Sequence, residues 1–594
     1  MSFHPNDVAR RARASSMVIL LAFVILVGAF FRTQVIQHRQ YVMQSEENRL
    51  RPIPLPAPRG IIYDRNGVVI AENLPAYSVS ITAPSEDSLR SALNQLATTL
   101  QLERFQINAA IRRYRRAPTR PTVVLNDASI DIVSVLEEHR LDYPRLVIQS
   151  VPKRYYPDGP AVASFIGYTS EISETELNRP EFQDYKPGQQ IGKGGLEKYY
   201  EPKLRGREGV RFDEVDARGR PVRGAGPRPD LVPIGAPPLY TNIDMDLQKF
   251  TAAIFGDSLQ GAAVALDPNT GAVLALYSAP AFDPNKFTGG IPADYYNELL
   301  TDERRPLVNK AIQGRYEPGS IFKPATAILG LEHKLVGLTE KMPVPCAGGY
   351  QYGSRYFRCW EKKGHGSLAL EGALKHSCDV YFYQLGIRIG MTRMIAGGLK
   401  LTFREKSGID LPEENRPIWP RDIQYYNERF GRNWSNAEVL NLSIGQGSNS
   451  QTVVSMAKFY TALATDGHYA RPGIARVTPT RTPLYNLTKT QDSSLKEALA
   501  AVVEAGGTAG ASALVGMKLA GKTGTAQNAA GEDADHGWFV GYAPAGDPAN
   551  PPKIVVALLI EFGEHGSRAA RIASAIIAHY LGVRTQLSTW AEGE

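Results

Sequence analysis

The feature that most constrains this chain is an uninterrupted apolar segment near its N-terminus. Residues 17–31 are all apolar or glycine, and with its flanks the segment 15–36 reaches the roughly 20 residues that a bilayer-spanning helix needs. Arg10, Arg11 and Arg13 precede it, which predicts a cytoplasmic N-terminus and an exported remainder. A cleaved signal peptide is the alternative, but the run is long and no small-x-small cleavage site follows. We therefore expect a single-pass membrane protein whose residues after about 36 are periplasmic or extracellular, and we predict the inner membrane with a periplasmic bulk.

The chain is too long for one ordinary domain. At 594 residues two or more folded domains are expected, and 43% hydrophobic with 21% charged residues is the balance of a folded protein. A net charge of +7 is small for this length and argues against a nucleic-acid partner. A stretch rich in Arg, Gly and Pro at 205–237 suggests a domain junction. We expect a cytoplasmic tail (1–14), a transmembrane helix (15–36), an N-terminal non-catalytic module (37–236) and a C-terminal domain (237–594).

Hydrophobic patterning predicts several secondary-structure elements. The apolar runs 261–266 and 271–276 flank Pro-Asn-Thr, which predicts two buried antiparallel strands joined by a turn. Residues 112–116 read Arg-Arg-Tyr-Arg-Arg; such a charge run is usually a solvated face, and contact with anionic headgroups or a partner is the alternative. We also predict an extended connector at 48–58, a hairpin near 58–67, helices at 320–333, 368–389 and 451–465, a last strand at 553–562 and a final helix at 568–581.

A serine and a lysine three residues apart, Ser320 and Lys323, follow a Pro-Gly pair. In a helix that begins here the two side chains share one face, and Pro324 is tolerated in a first helical turn, so the helix must begin close to Ser320. A serine hydroxyl needs a neighbouring base to act as a nucleophile, and a lysine can be that base where its pKa is lowered. The spacing alone is weak, because it also occurs at Ser150 to Lys153, Ser455 to Lys458 and Ser493 to Lys496.

Two further motifs follow in order. Ser377-Cys378-Asp379 opens an apolar aromatic run, and Lys522-Thr523-Gly524-Thr525 precedes a strand pattern at 537–542. A competing Lys406-Ser407-Gly408 lacks a strand on either side, and we interpret it as a loop. Each motif is weak by itself, but the ordered set Ser-x-x-Lys, Ser-x-Asn/Asp and Lys-Thr-Gly is that of penicillin-binding proteins and β-lactamases.

With these motifs the chain resembles class B penicillin-binding proteins, of the penicillin-binding protein 2 type that serves cell elongation. Asp379 stands where most relatives carry Asn, as in the elongation-type members. The resemblance implies an α/β (α+β) protein with an elongated mixed N-terminal pedestal and a transpeptidase domain, whose five-stranded antiparallel sheet is flanked by helices. It also covers the anchor and three shorter motifs: Arg59-Gly60 with Asp64-Arg65-Asn66-Gly67, Gly194-Gly195-Leu196-Glu197, and Gly445-Gln446-Gly447.

The resemblance also implies the chemistry, that of a serine D,D-transpeptidase or D-Ala-D-Ala carboxypeptidase. Ser320 would attack the carbonyl of a D-Ala-D-Ala bond, Lys323 would take its proton, and Ser377, beside Asp379, would relay a proton to the leaving amine. The choice of acylation base stays open. Lys522 would attract the substrate carboxylate. Substrate binding would further involve the hydroxyls of Thr523 and Thr525, with Gly524 between them, and the backbone N–H groups of Ser320 and Thr525 as the oxyanion hole.

Three cysteines and one histidine allow two interpretations. An odd number of cysteines is unusual in an exported chain. In the first interpretation Cys346 and Cys359 form a disulfide and Cys378 stays free. Alternatively, the three cysteines and His365 offer three thiolates and an imidazole, which is a complete tetrahedral zinc shell. The resemblance favours zinc, because elongation-type relatives can hold a zinc near the active site. We expect a structural zinc and no organic cofactor.

The resemblance implies partners as well. We expect peptidoglycan stem peptides, β-lactams, a polytopic glycosyltransferase of the shape, elongation, division and sporulation family contacted through residues 15–60, and regulators of the elongation complex. The alternatives are a division-type transpeptidase, a β-lactamase or β-lactam sensor, and a scaffold that mainly activates a membrane glycosyltransferase.

Overall fold

The structure, a computed structural model, describes residues 5–41, 50–100, 102–143, 145–214, 229–431, 434–476, 478–526, 535–563 and 565–586. Within these ranges one helix, Val8–Ile36, is long and apolar enough to cross a membrane. Its side chains are exposed rather than packed against the protein, which is consistent with a single-pass anchor. Residues 5–31 of this segment are α-helical, and Arg32–Ile36 continue as a π-helical turn.

The N-terminal part begins with this helix and alternates strands with short helices. Its elements are α1 Pro5–Phe31, β1 Leu50–Leu55, β2 Ile62–Tyr63, β3 Val69–Ile81, α2 Glu86–Ala97, α3 Arg104–Arg116, β4 Thr122–Ala128, α4 Ile130–Glu138, β5 Leu146–Tyr155, α5 Ala163–Ile166, β6 Thr169–Glu171, α6 Glu174–Leu177, β7 Gln190–Gly192, α7 Gly195–Tyr199, α8 Glu201–Leu204 and β8 Gly209–Glu214.

Strand β3 is the centre of the N-terminal sheet. It pairs antiparallel with β5 from Glu72 opposite Tyr155 to Ile81 opposite Leu146, and with β2 and β4 as well. Apolar side chains of α2, α3 and α4 form one buried cluster with β3, β4 and β5. The helices are amphipathic, and Ser85 and Ser129 cap α2 and α4 by accepting backbone N–H groups. This part of the chain therefore has a hydrophobic core of its own.

The arginine run at 112–116 lies on α3 and is held by glutamates of the same module. The ion pairs are Arg113–Glu171, Arg115–Glu86 at 2.7 Å, Arg112–Glu174 at 3.4 Å and Arg116–Glu174 at 3.7 Å. Most of these side chains are partly exposed, so the run forms a charged, intramolecularly paired face, close to the solvated face that was expected.

The C-terminal part contains the remaining elements. They are β9 Leu239–Tyr240, α9 Met245–Phe255, β10 Gly261–Leu266, β11 Val273–Ala279, α10 Ala293–Thr301, α11 Lys323–Glu332, β12 Gly349–Tyr352, β13 Arg355–Arg358, α12 Leu370–Lys375, α13 Asp379–Ile389, α14 Met391–Lys400, α15 Gln424–Phe430, α16 Glu438–Ser443, α17 Val453–Ala464, β14 His468–Ala470, β15 Arg481–Pro483, α18 Lys489–Ala501, β16 Ala520–Ala526, β17 His536–Ala543, β18 Ile554–Ile560 and α19 Gly566–Leu581.

The central sheet of this part is five-stranded and antiparallel, in the order β11-β10-β18-β17-β16. Helix α17 packs on one face and α9 with α19 on the other. The middle strand β18 is buried along its whole length, because a strand covered by helices on both faces needs apolar side chains on both. The predicted fold class, a five-stranded antiparallel sheet flanked by helices, is confirmed.

Several element predictions change in detail. The expected connector at 48–58 contains strand β1, which pairs with β8 inside the expected junction at 205–237. The predicted helix at 368–389 is interrupted, because Ser377 adopts a positive φ of 53° between α12 and α13. Parts of several predictions lie outside the described residues: 1–4 of the tail, 48–49 of the connector, 215–228 of the junction, 42–49, 101, 144 and 215–228 of the N-terminal module, and 432–433, 477, 527–534, 564 and 587–594 of the C-terminal domain.

Candidate active site and cysteine–histidine cluster

Ser320 lies in a 3₁₀ turn, Gly319–Phe322, that runs directly into α11. This matches the expectation that a helix begins close to Ser320. Gly319 has a φ of +55°, and its N–H donates to the carbonyl of Gly445 at 3.0 Å. A Cβ on Gly319 would meet the carbonyl oxygen of Thr525 at 2.6 Å, so glycine is required here for the serine turn to touch the Lys522 strand.

Lys323 connects the first motif to the second. Its side chain is fully buried, and its Nζ donates to Asp379 Oδ1 at 2.7 Å, to the Ser377 carbonyl at 2.8 Å and to Ser377 Oγ at 3.2 Å. Among the described residues no hydrogen bond joins Lys323 to Ser320, although both lie on the predicted helical turn. The lysine therefore links the serine turn to residues 54 and 56 positions further along the chain.

Asp379 begins α13 and is almost completely buried. Burial raises the pKa of Asp379, and the positive charge of Lys323 opposes that rise without cancelling it. Its second oxygen, Oδ2, accepts the backbone N–H of Trp360 at 3.1 Å. The carboxylate therefore anchors both the lysine and the segment that carries Cys359.

Lys522 lies on β16, an edge strand of the central sheet, opposite Val540 of β17. Its side chain is fully buried. Burial lowers the pKa of Lys522 well below its usual value, and the nearby charge of Lys323 lowers it further. A Cβ on Gly524 would meet the carbonyl of Pro318 at 2.8 Å, which shows how closely this strand approaches the serine turn.

Cys346, Cys359, His365 and Cys378 converge, as the zinc interpretation expects. One ligand atom from each lies within 4.8 Å of all the others, and the three thiols are buried and free. Nδ1 of His365 is 3.7 Å from Cys346 Sγ and 3.6 Å from Cys359 Sγ. A tetrahedral zinc with bonds of about 2.3 Å to sulfur and about 2.0 Å to nitrogen separates such atoms by about 3.5 Å.

The cluster also favours negative charge. A hydrogen bond from Cys378 lowers the pKa of Cys359, and the same interaction, together with burial, raises the pKa of Cys378. The thiolate form of Cys359 is therefore favoured, and a thiolate is the form that binds a metal. The residues present fit a zinc ion.

Family profiles match most of the chain that follows the apolar N-terminal helix. That of the penicillin-binding protein transpeptidase domain matches residues 261–578, which include all three motifs, and that of the penicillin-binding protein dimerisation domain matches residues 54–229. The chain belongs to the penicillin-binding proteins.

Known penicillin-binding proteins are similar along nearly the full length. The chain is 32% identical to the peptidoglycan D,D-transpeptidase MrdA of Acinetobacter baumannii, covering 96% of this chain and 87% of that protein. PBP2 in a complex with MreC from Helicobacter pylori is 27% identical with a TM-score of 0.77, covering 90% of this chain and 99% of that one. A structure described as "Structural coordination of polymerization and crosslinking by a peptidoglycan synthase complex" is 27% identical with a TM-score of 0.70, covering 97% and 99%. The expected membership in the penicillin-binding protein 2 type is confirmed.

The other Ser-x-x-Lys copies of this penicillin-binding protein have structural roles. Lys153 pairs with Asp127, Lys496 pairs with Asp492 at 2.6 Å, and the buried Lys458 lies 4.3 Å from the ring centroid of Tyr469. The segment 406–408 is a loop, as predicted.

Two residues next to the penicillin-binding motifs escaped sequence reasoning. Glu317 accepts the N–H of Gly447 at 3.1 Å, and burial raises the pKa of Glu317 to about 7. Trp360 is hydrogen-bonded to the second motif although it lies 17 residues before Ser377. The only signals in the sequence were their positions beside Pro318 and Cys359, which do not by themselves indicate a role.

Proposed function

We propose that this penicillin-binding protein is the serine D,D-transpeptidase that cross-links peptidoglycan stem peptides during cell elongation and maintenance of rod shape. The observation that carries the proposal is the convergence of three distant motifs: the Ser320 turn contacts the Lys522 strand, and Lys323 is bonded to Ser377 and Asp379. The A. baumannii relative, which is similar along almost its whole length, is named for the same activity.

The proposed reaction begins with acylation. Ser320 Oγ attacks the carbonyl carbon of the D-Ala-D-Ala bond, the C–N bond breaks, and D-Ala leaves with the proton that Ser320 loses. Lys323 acts as a neutral amine and takes that proton, and Ser377, whose Oγ is 3.2 Å from Lys323 Nζ, relays it to the leaving amine. The backbone N–H groups of Ser320 and Thr525 stabilise the oxyanion, by about 3 kcal/mol for each donor. An amine of a neighbouring stem peptide then attacks the ester and forms the cross-link; attack by water would be a carboxypeptidase reaction.

Lys522 binds the substrate carboxylate together with the hydroxyls of Thr523 and Thr525. In the free site burial favours the neutral amine of Lys522. A carboxylate beside the amine favours the charged form, so substrate binding should raise the pKa of Lys522 again.

The test is mass spectrometry of the intact chain after exposure to benzylpenicillin. Wild type gains one stable adduct on Ser320, and Ser320→Ala gains none while its unfolding transition is unchanged. Ser493→Ala, an exposed serine of a second Ser-x-x-Lys copy, is the matched control and reacts like wild type. An adduct on Ser320→Ala contradicts the proposal, and so does rapid hydrolysis of penicillin, which would indicate a β-lactamase. A folded wild type that is never acylated would indicate a scaffold.

We further propose that Cys346, Cys359, His365 and Cys378 hold a structural zinc. The converging free thiols and the distances from their sulfur atoms to His365 support it. When bound, zinc cross-links the segment 346–378 and thereby becomes part of its folding free energy. Cys378 precedes Asp379 directly, so the same residues that hold the metal fix the segment that binds Lys323.

Elemental analysis distinguishes zinc from a disulfide. Zinc predicts one metal per chain, three thiols that react after unfolding with a chelator, and slower acylation of Ser320 after chelation. A disulfide predicts no metal, a mass two units lower, and sensitivity to reductant. Cys346→Ser with full zinc content would contradict the proposed ligand set.

For the membrane partner we propose a polytopic glycosyltransferase of the shape, elongation, division and sporulation family, contacted through residues 15–60. The apolar side chains of the spanning helix are exposed, and a structural neighbour is described as a peptidoglycan synthase complex that coordinates polymerization and crosslinking. The neighbour bound to MreC supports regulators of the elongation complex as further partners. The anchor then leaves residues 1–14 in the cytoplasm and the bulk in the periplasm.

Co-purification tests the contact. Replacing residues 15–36 by an unrelated transmembrane helix keeps the chain in the membrane and should abolish co-purification with the glycosyltransferase. Undiminished co-purification would contradict the proposed contact.

A further inference from the structure

Trp360 combines a large exposed surface with an unusually well-anchored position. Its side chain is 57% exposed, although it follows the buried Cys359 directly. Its backbone N–H donates to Asp379 Oδ2 at 3.1 Å. Its indole N–H is shared between the carbonyls of His376 at 3.1 Å and Ser377 at 3.2 Å. An exposed tryptophan could hydrogen-bond to water instead, so this geometry ties the indole to the second motif.

The carbonyl of Ser377 that receives the indole N–H belongs to a strained residue. Ser377 has a φ of +53°, a left-handed conformation that costs a non-glycine residue about 1 kcal/mol or more. Two donors hold this carbonyl: Lys323 Nζ at 2.8 Å and Trp360 Nε1. If the peptide rotated toward an unstrained conformation, both bonds would break and Ser377 Oγ would leave its position 3.2 Å from Lys323.

The two donors differ in what happens to them during the reaction. Lys323 gains and loses a proton in the proposed acylation, so its hydrogen bonds change along the reaction. The indole N–H does not titrate and stays a donor throughout. Trp360 is therefore the constant restraint on the strained peptide while Lys323 transfers the proton.

We propose that Trp360 is a positioning residue for Ser377. Its indole N–H holds the left-handed Ser377 peptide so that Ser377 Oγ stays within reach of Lys323 during proton transfer. The inference rests on the proposed acyl-enzyme chemistry and adds a residue outside the three motifs to it. It also gives the cysteine–histidine cluster a mechanical link to catalysis, because Trp360 directly follows Cys359 in the chain.

The experiment measures two constants on the full chain in detergent: the dissociation constant of the non-covalent benzylpenicillin complex and the first-order acylation rate constant. Trp360→Phe keeps an aromatic ring and removes the N–H. Losing one neutral hydrogen bond should slow acylation about 3–10-fold, with the dissociation constant and zinc content unchanged. Tyr356→Phe, which removes a hydroxyl from another exposed aromatic side chain on the preceding strand β13, is the matched control and should equal wild type.

A second variant separates the hydrogen bond from the shape of the ring. Replacing Trp360 by 3-benzothienylalanine keeps the bicyclic ring and substitutes sulfur for N–H, so it should show the same slowing as Trp360→Phe. Wild-type acylation rates in both variants would overturn the inference. A change confined to the dissociation constant would also overturn it, because this would indicate that Trp360 contacts the substrate. So would a loss of acylation rate that occurs only in proportion to a loss of zinc. If wild type itself is not acylated on Ser320, the proposed function fails first, and that result is distinct from all of these.

Discussion

Two buried charge clusters in this protein differ in their numbers of cationic and anionic side chains. In the N-terminal part, Arg59 Nη2 lies 2.7 Å from Glu197 and 2.9 Å from Glu201, and Arg154 Nε lies 2.5 Å from Glu197. Two cations face two anions. In the active site, two fully buried lysines, Lys323 and Lys522, share a single carboxylate, Asp379, that lies 2.7 Å from the first of them.

The pKa shifts differ between the two clusters. Burial acts to raise the pKa of Glu197, but Arg154 and Arg59 outweigh it and the pKa falls, so this carboxylate stays charged. Asp379 and Lys522 shift the other way, each toward its neutral form. The balanced cluster favours the charged form of Glu197 and fixes structure, whereas burial in the active site favours the uncharged forms of Asp379 and Lys522, as in sites that transfer protons. The unequal cluster of Lys323, Lys522 and Asp379 is therefore the part of this fold that we expect to support proton transfer.

The largest effect should come from the unbalanced cluster. Lys323→Ala removes the proposed base and should lower the acylation rate constant on the order of 10³-fold, measured with benzylpenicillin. Because Asp379 can then take up a proton, the free energy of unfolding should change much less than the rate. A loss of unfolding free energy as large as the increase in the activation free energy of acylation would contradict the comparison.

The balanced cluster should respond in the opposite way. Glu197→Gln leaves Arg154 and part of Arg59 without a buried counter-charge and should cost about 3–5 kcal/mol of unfolding free energy. The acylation rate constant of the folded fraction should be unchanged. Glu171→Gln, in the partly exposed pair with Arg113, is the control and should cost less than about 1 kcal/mol. Equal losses of unfolding free energy from the two substitutions would show that burial of an ion pair does not determine its contribution to stability.

Glu317 offers a smaller, pH-dependent test. Its pKa is about 7 in the fold against about 4.3 for a free glutamate, so the folded state binds the proton more tightly. Stability should therefore fall as pH rises from about 4.5 to about 7 and then level off, by about 1–2 kcal/mol once partial exposure is allowed for. Urea unfolding of Glu317→Gln should lack this decline. A decline of equal size in the variant would assign it to another group.

The smallest effect concerns Lys522. Burial lowers the pKa of Lys522, and a bound carboxylate should raise it, so binding of an acyl-D-Ala-D-Ala peptide to the Ser320→Ala protein should take up a fraction of one proton at pH 8. Calorimetry in buffers of different ionisation enthalpy measures this uptake. Lys522→Arg should bind without proton uptake, since arginine stays charged. Identical uptake by both proteins would place the proton elsewhere.

The sequence predicted much of the active site because its signals are local. The Pro-Gly entry and Pro324 place a helix start beside Ser320, and the structure has a 3₁₀ turn there. The apolar runs around residues 268–270 predict the hairpin of β10 and β11, which the structure contains. The cysteines and His365 are metal-ligand types whatever their spacing, and they converge.

The sequence by itself thus determined the membrane segment, the motifs and the kinds of side chain available for chemistry. Only the tertiary structure decided which of them meet: that Lys323 bonds Ser377 and Asp379, that Ser377 is left-handed, and that Trp360 supports it. The physical reason is that periodicity and capping act over a few residues. The contacts that set pKa values and strain join residues tens to hundreds of positions apart, and these depend on how the whole core packs.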